Sequence, residues 1–225
     1  MAILKRMGSI LVTGAAAAAV ITLGASSAFA AAKVTTWTIT PGGAFTVKAA
    51  SATLTDDTSN NSLNCTGTTT SPSLKFKSTL KSGTGLAGAK IGKITGVTFA
   101  HCSVDGFAVT MTATLPWHIN LTSPTSTAGT VNGTITGIKA VLAVSAVGCT
   151  GNVGGKVAGS GGSIAFTYTN PTTSTGAGTL TISPSTTTSK LFASNVNGCL
   201  GVVNNGDQFS ISATASTTHQ VITTP

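Results

Sequence analysis

Residues able to carry acid–base, metal or nucleophilic chemistry are scarce in this chain, and that scarcity is the first constraint on function. Asp56, Asp57, Asp105 and Asp207 are the only side-chain carboxylates in 225 residues, and Glu is absent. His101, His118 and His219 are widely spaced, and the cysteines are Cys65, Cys102, Cys149 and Cys199. Glycoside hydrolysis in its usual form needs two placed carboxylates, one kept protonated by its surroundings. Here two of the four aspartates sit in the polar loop "TDDTSNN", which reads as a solvated turn, and two in other turns, so the supply of placed carboxylates is thin. No G-x-S-x-G elbow accompanies the many serines, and His101 adjoins a cysteine. His118, directly after Trp117, is the histidine that could serve as a base, so an extracellular hydrolase with an unfamiliar site there is the enzymatic alternative. Asp56-Asp57 lacks the glycine and terminal glutamate of an EF-hand loop, and neither C-x-x-C nor H-E-x-x-H occurs. No catalytic set, cofactor or metal site follows from these residues.

Two glycine patterns imitate nucleotide sites. Gly83-x-Gly85-x-x-Gly88 opens no helix and has no acidic residue about 20 positions on. "GNVGGKV" places Val157 where a phosphate loop needs Ser or Thr. Both read as glycine-rich loops.

The cysteines are better explained by export. "MAILKRMGSILVTGAAAAAVITLGASSAFA" has a basic start, an apolar run and Ala28-Phe29-Ala30, the features of a secretory signal over residues 1–30 with cleavage before Ala31. No later stretch reads as a transmembrane segment; the most apolar, "ITGIKAVLAVSAVGC", is interrupted by Gly137 and Lys139. Residues 31–225 then form a single β-rich domain, secreted or held at the cell surface, where disulfides persist. "NCTG" at 64–67 echoes "GCTG" at 148–151, and "FAHCSVDGFAVTMTAT" echoes "VNGCLGVVNNGDQFSISATA". Two related halves, 34–121 and 129–217, account for both echoes. If each half carries its own staple, Cys65 pairs with Cys102 and Cys149 with Cys199, and Cys199 is structural rather than a nucleophile.

The elements that position these residues are strands. "LKFKSTLKS" puts Leu74, Phe76 and Leu80 on one face and Lys75, Lys77 and Lys81 on the other, and "FAVTMTATL" alternates in the same way. Pro41-Gly42-Gly43, Asp105-Gly106, Asn132-Gly133 and Asn205-Gly206 read as turns. The expected fold is all-β, an antiparallel sandwich of roughly ten to thirteen short strands, with a closed barrel as the alternative.

Formal charge is +8, and +6 once Lys5 and Arg6 are set aside with the leader. The remaining cations are all lysine, whereas a nucleic-acid reader would use the two-pronged grip of Arg, so nucleic acid is not an expected partner. Lys75, Lys77 and Lys81 are candidate contacts for an anionic cell-wall polymer. Trp117, in "LPWHINL" behind Pro116, either closes the core or stacks on a polysaccharide or hydrophobic surface.

"TPGGAFT", "LNCTG", "TFAHC", "LPW", "GTITGI" and "GCLGVVNNGD", in that order, resemble secreted proteins of high-GC Gram-positive (actinobacterial) type. More distantly, the order of a Pro-Gly-Phe start, a cysteine pair, Leu-Pro-Trp and a second cysteine pair is similar to the alkane-oxidation-activator group of small exported bacterial proteins. No catalytic residues carry over. The resemblance implies an extracellular β protein with two bridges, active at cell surfaces or oily interfaces. The expected function is therefore non-enzymatic association with the cell envelope or with a polysaccharide or hydrophobic surface. A subunit of an envelope pore is a further alternative, weakened by a chain with one Tyr and two Trp, since spanning barrels carry aromatic girdles.

Overall fold

The computed structural model describes residues 35–224; the secretory leader read over 1–30 and the cleavage before Ala31 lie outside them. In chain order the strands are β1 (Thr36–Thr40), β2 (Gly43–Asp56), β3 (Ser62–Thr66), β4 (Leu74–Leu80), β5 (Gly83–Ala87), β6 (Gly92–Phe99), β7 (Cys102–Val104), β8 (Phe107–Ala113) and β9 (Trp117–Pro124). After these come β10 (Thr130–Ile138), β11 (Ala140–Val144), a 3-10 turn at Ser145–Val147, β12 (Cys149–Gly154), β13 (Gly162–Thr169), β14 (Gly178–Ile182), β15 (Leu191–Asn197), β16 (Gln208–Thr217) and β17 (Val221–Thr223). All the pairings between them are antiparallel, as the alternating apolar and hydroxyl side chains require of strands buried on one face.

The described residues form seventeen strands, more than the roughly ten to thirteen expected, because several short, glycine-rich strands have the composition of loops. Gly83–Ala87, dismissed with the G-x-G-x-x-G pattern, is strand β5 and pairs with β1. Part of "GNVGGKV" belongs to β12. Asn132-Gly133 is not a turn but lies inside β10, opposite Thr167 and Phe166. A Cβ at Gly133 would meet the Phe166 ring at 2.3 Å, so the glycine makes room for an aromatic ring packed over the backbone.

Fourteen of the strands close into a barrel, and a further pairing of β16 with β2 divides that circuit into two rings. Ring A runs through the first half of β2, β4, β6, β9, β10, β13, β14 and the second half of β16. Ring B runs through the second half of β2, β3, β7, β8, β11, β12, β15 and the first half of β16. The long strands β2 and β16 pass from one ring into the other, so the rings follow each other along their length. The closed circuit leaves no free edge within either ring.

The pairing scheme also repeats along the chain. β2 with β4, β2 with β3, and β3 with β7 are matched by β10 with β13, β11 with β12, and β12 with β15. Each half of the chain thus contributes four strands to each ring.

A separate three-stranded sheet, β17-β1-β5, caps the far end of ring A. Trp37 and Ile39 of β1 are 1% and 0% exposed, and Ile222 of β17 is buried beside them. Polar bonds fasten the cap to the barrel: the Tyr168 hydroxyl donates to the Gln220 carbonyl at 2.7 Å, and Asn170 exchanges two bonds with the Ile222 backbone.

Candidate functional site

Among the described residues the opposite end, at ring B, has no such cap. Four chain connections surround it: the β2–β3 turn, Asp105-Gly106 between β7 and β8, the 3-10 turn between β11 and β12, and the 198–207 loop between β15 and β16. Together they enclose an apolar cavity of about 160 Å³. Its walls come from inward positions of the ring, among them Leu54, Leu63, Leu142, Val144 and Phe209. Phe107, Val147 and Leu200 stand at its mouth, 46%, 38% and 87% exposed. A second void of about 40 Å³ lies deeper and shares Leu54 and Leu63 with the first.

The loops hold this mouth by specific bonds. Asn61 Nδ2 donates to the Val202 carbonyl at 3.0 Å, which ties the β2–β3 turn to the 198–207 loop. Asn204 donates its backbone N–H to Asp207 Oδ2 at 2.7 Å, folding the Asn205-Gly206 turn. At Gly198 a Cβ would come within 2.4 Å of the Gly148 carbonyl oxygen, and the backbone φ is +69°, so only glycine permits this close approach of the two loops. Both disulfides belong to ring B. Cys65 and Cys102 face each other in the β3–β7 register, and Cys149 is bonded to Cys199, next to the β12–β15 pairing.

One polar side chain enters the apolar lining from the barrel wall. Asp56 continues the inward alternation of Ala52 and Leu54 and is 1% exposed, which corrects the expectation of a solvated Asp56-Asp57 turn. Its Oδ1 accepts the Thr58 and Ser59 amides at 2.8 and 3.2 Å, while Oδ2 is buried with no hydrogen-bond partner. Asp57 behaves similarly: Oδ1 accepts the Ser210 hydroxyl at 2.7 Å and Oδ2 is buried and unpartnered. Leaving such an oxygen unsatisfied costs about 1–3 kcal/mol, and more when it is charged. A third unpartnered atom, Ser78 Oγ, lies in the wall of ring A, and nothing in the structure explains it.

Other candidates fare differently. Trp117, considered for stacking on a ligand, is 3% exposed; it packs edge-on against Phe76 and donates its ring N–H to the Thr114 carbonyl at 3.0 Å. It closes the core, because a chain with so few large side chains needs its indoles inside. Lys75 and Lys77 lie on the outer wall of ring A, and Lys48 opposes Lys75 directly across the strands. Lys93 sits on the same wall, across from Thr79 and His118. Lys81 follows the end of β4 and is not part of this row. The neighbours of His118 in adjacent strands are Lys93 and Thr136, so no carboxylate orients its ring from those positions. Among the described residues no group of three His, Cys, Asp or Glu side chains could hold a metal ion.

A wider hollow of about 250 Å³ lies beside Lys139, Thr114, Asn152 and Ser160. None of the unpartnered buried atoms is found there, so ring B is the stronger candidate. The signal that would have pointed to Asp56 was present in "SATLTD", where strand alternation turns the aspartate inward. The signal for Leu200 was an apolar residue in a turn between Cys199 and Gly201. Comparison with protein-family models, with curated proteins and with solved structures finds no match to this chain.

Proposed function

We propose that this is an exported, non-enzymatic binding protein that presents the open end of ring B to an apolar molecule or hydrophobic surface at the cell envelope. The carrying observation is the apolar cavity whose mouth exposes Phe107, Val147 and Leu200. Large apolar side chains grouped around a hollow are the usual mark of a binding surface. The two disulfides suit an oxidising, extracytoplasmic setting, and among the described residues no helix is long and apolar enough to cross a membrane. The proposal agrees with the resemblance to actinobacterial-type secreted proteins and to the alkane-oxidation-activator group.

The rival functions find less support. A spanning barrel turns an apolar band outward; here the ring interiors are apolar and the outer wall of ring A carries Lys48, Lys75, Lys77 and Lys93. A hydrolase at His118 would need an orienting group, and its cross-strand neighbours are a lysine and a threonine. The lysine row favours a second contact, with an anionic cell-wall polymer, acting through charge.

Retention on alkyl-coated beads and on purified cell wall, with and without 1 M salt, tests both contacts. Retention on the beads should survive salt, and Phe107→Ser/Leu200→Ser should lower it at least about tenfold, since full burial of such side chains is worth about 1.5–3 kcal/mol each. Retention on cell wall should fall in 1 M salt, where the Debye length is about 3 Å, and in Lys48→Ala/Lys75→Ala/Lys77→Ala. Wild-type protein that stays in solution over the beads overturns the apolar reading.

A further inference from the structure

We propose that the ring B cavity is selective for a small apolar molecule bearing one amine, with the ammonium group held by Asp56. This deepens the apolar-binding reading and rests on it. A cavity of about 160 Å³ is close in size to the roughly 150 Å³ apolar cavity known to admit benzene, so it suits a body of about six carbon atoms. Apart from Asp56, Asn61 and Asp105, its lining is apolar, and no lysine is among the lining residues.

Asp56 has one oxygen committed and one free. Oδ1 is occupied by the Thr58 and Ser59 amides, whereas Oδ2 has neither solvent nor a protein donor. A carboxylate is an acceptor, so what completes it must donate. An ammonium does this with three N–H groups and supplies the opposite charge that a buried carboxylate requires.

The local charge points the same way. Asp56 and Asp105 line the cavity, and Asp57 follows Asp56 with an unpartnered oxygen of its own. Asp207 anchors the Asn204 turn of the loop that bounds the mouth. Every carboxylate side chain of the protein is therefore at this end, while the lysine row occupies the wall of ring A. Low-dielectric walls lined by one sign of charge attract the opposite sign and repel their own. A cationic head is favoured, a neutral hydroxyl is second, and an anionic head such as that of a fatty acid is disfavoured.

The test titrates purified protein with n-hexylamine at pH 7, where it is protonated, and with 1-hexanol, sodium hexanoate and benzene, following binding by calorimetry and ligand-observed NMR. Hexylammonium should bind at least about tenfold more tightly than hexanoate, the ratio that corresponds to about 1.4 kcal/mol. Asp56→Asn is nearly isosteric and keeps an Oδ1 acceptor for the two loop amides, but it presents an NH₂ in place of the free oxygen. It should abolish the preference for the amine, bringing hexylammonium down to the affinity of 1-hexanol. Val147→Trp, at the exposed rim, should weaken binding of all four probes by obstructing the mouth.

Benzene binding without a preference for the amine overturns the assignment of Asp56 and leaves the apolar reading standing. Failure of both benzene and hexylamine overturns the two together. Unchanged hexylamine affinity in Asp56→Asn, with a native thermal transition, also overturns the assignment.

Discussion

Ring A and ring B use the same strand-pairing scheme and are finished in opposite ways. Ring A ends under the β17-β1-β5 sheet, which inserts Trp37, Ile39 and Ile222 and fastens itself through Tyr168 and Asn170. Ring B ends in four connections around a cavity, with apolar side chains at its rim. Its ladders are also shorter: β3 meets β7 over two residue pairs, and β15 meets β16 over two. Both disulfides fall in this ring. A covalent staple limits the freedom of the unfolded chain whatever the packing, so it can sustain a ring whose core is incomplete. Close packing supports one end, and cross-links support the end that lacks a cap.

Matched truncations should separate the two ends most clearly. Trp37→Ala removes a fully enclosed side chain from the cap and should cost about 4–5 kcal/mol, as large-to-small changes in tight cores do. Leu142→Ala, in the cavity wall, should cost only about 2 kcal/mol, because a side chain beside a void has fewer packing partners to lose. Urea denaturation of both variants measures the difference, and equal losses would erase the distinction between a packed end and an open one.

The disulfides provide the next contrast. Replacing Cys65 and Cys102 together by Ala should cost about 3 kcal/mol, somewhat below the chain-entropy estimate of about 4 kcal/mol for a loop of this length. Amide exchange should accelerate in β3 and β7 and stay slow in β4 and β13. Uniform acceleration across both rings would show that the staples do not act locally.

The smallest effect concerns the cap. Burial raises the pKa of Tyr168 above 10.0, with the Thr217 hydroxyl opposing the shift. The unfolded chain therefore loses this proton at lower pH than the folded one does. The associated stability is fully present below pH 10 and is lost as the pH climbs from 10 toward the raised value. Tyr168→Phe should cost about 1 kcal/mol at neutral pH through the lost bond to Gln220, and should flatten the decline above pH 10. A decline of the same steepness in the variant would assign the alkaline loss to other groups.

Strand alternation made most of the fold readable. In "LKFKSTL" the inward Leu74, Phe76 and Leu80 and the outward lysines appear as the period of two predicts. The pairing of Cys65 with Cys102 and of Cys149 with Cys199 agrees with the reading of one staple in each half. Short strands were harder to see. β5 is "GTGLA", whose glycines suggest a loop, and only its partner β1 draws it into a sheet. Asn132-Gly133 has turn composition, yet Phe166 in the facing strand uses the missing side chain as its packing site.

By itself the sequence determined the class of fold, the inward and outward sides of its main strands, the cysteine pairing and the poverty of catalytic groups. All but the pairing depend on residue type and near-neighbour spacing, which are local; the pairing rests on the echo of one half of the chain in the other. Only the tertiary structure decided that the sheets close into two rings, that Trp117 is buried rather than offered to a ligand, and that a cavity exists. Closure is set by pairings between residues far apart in the chain, such as Phe209 with Asp56, and no local pattern encodes them. The same pairings turn a polar loop motif into a buried carboxylate with one free oxygen. They also bring Asp56, Asp105, Leu142 and Leu200 to one cavity from four separate segments of the chain.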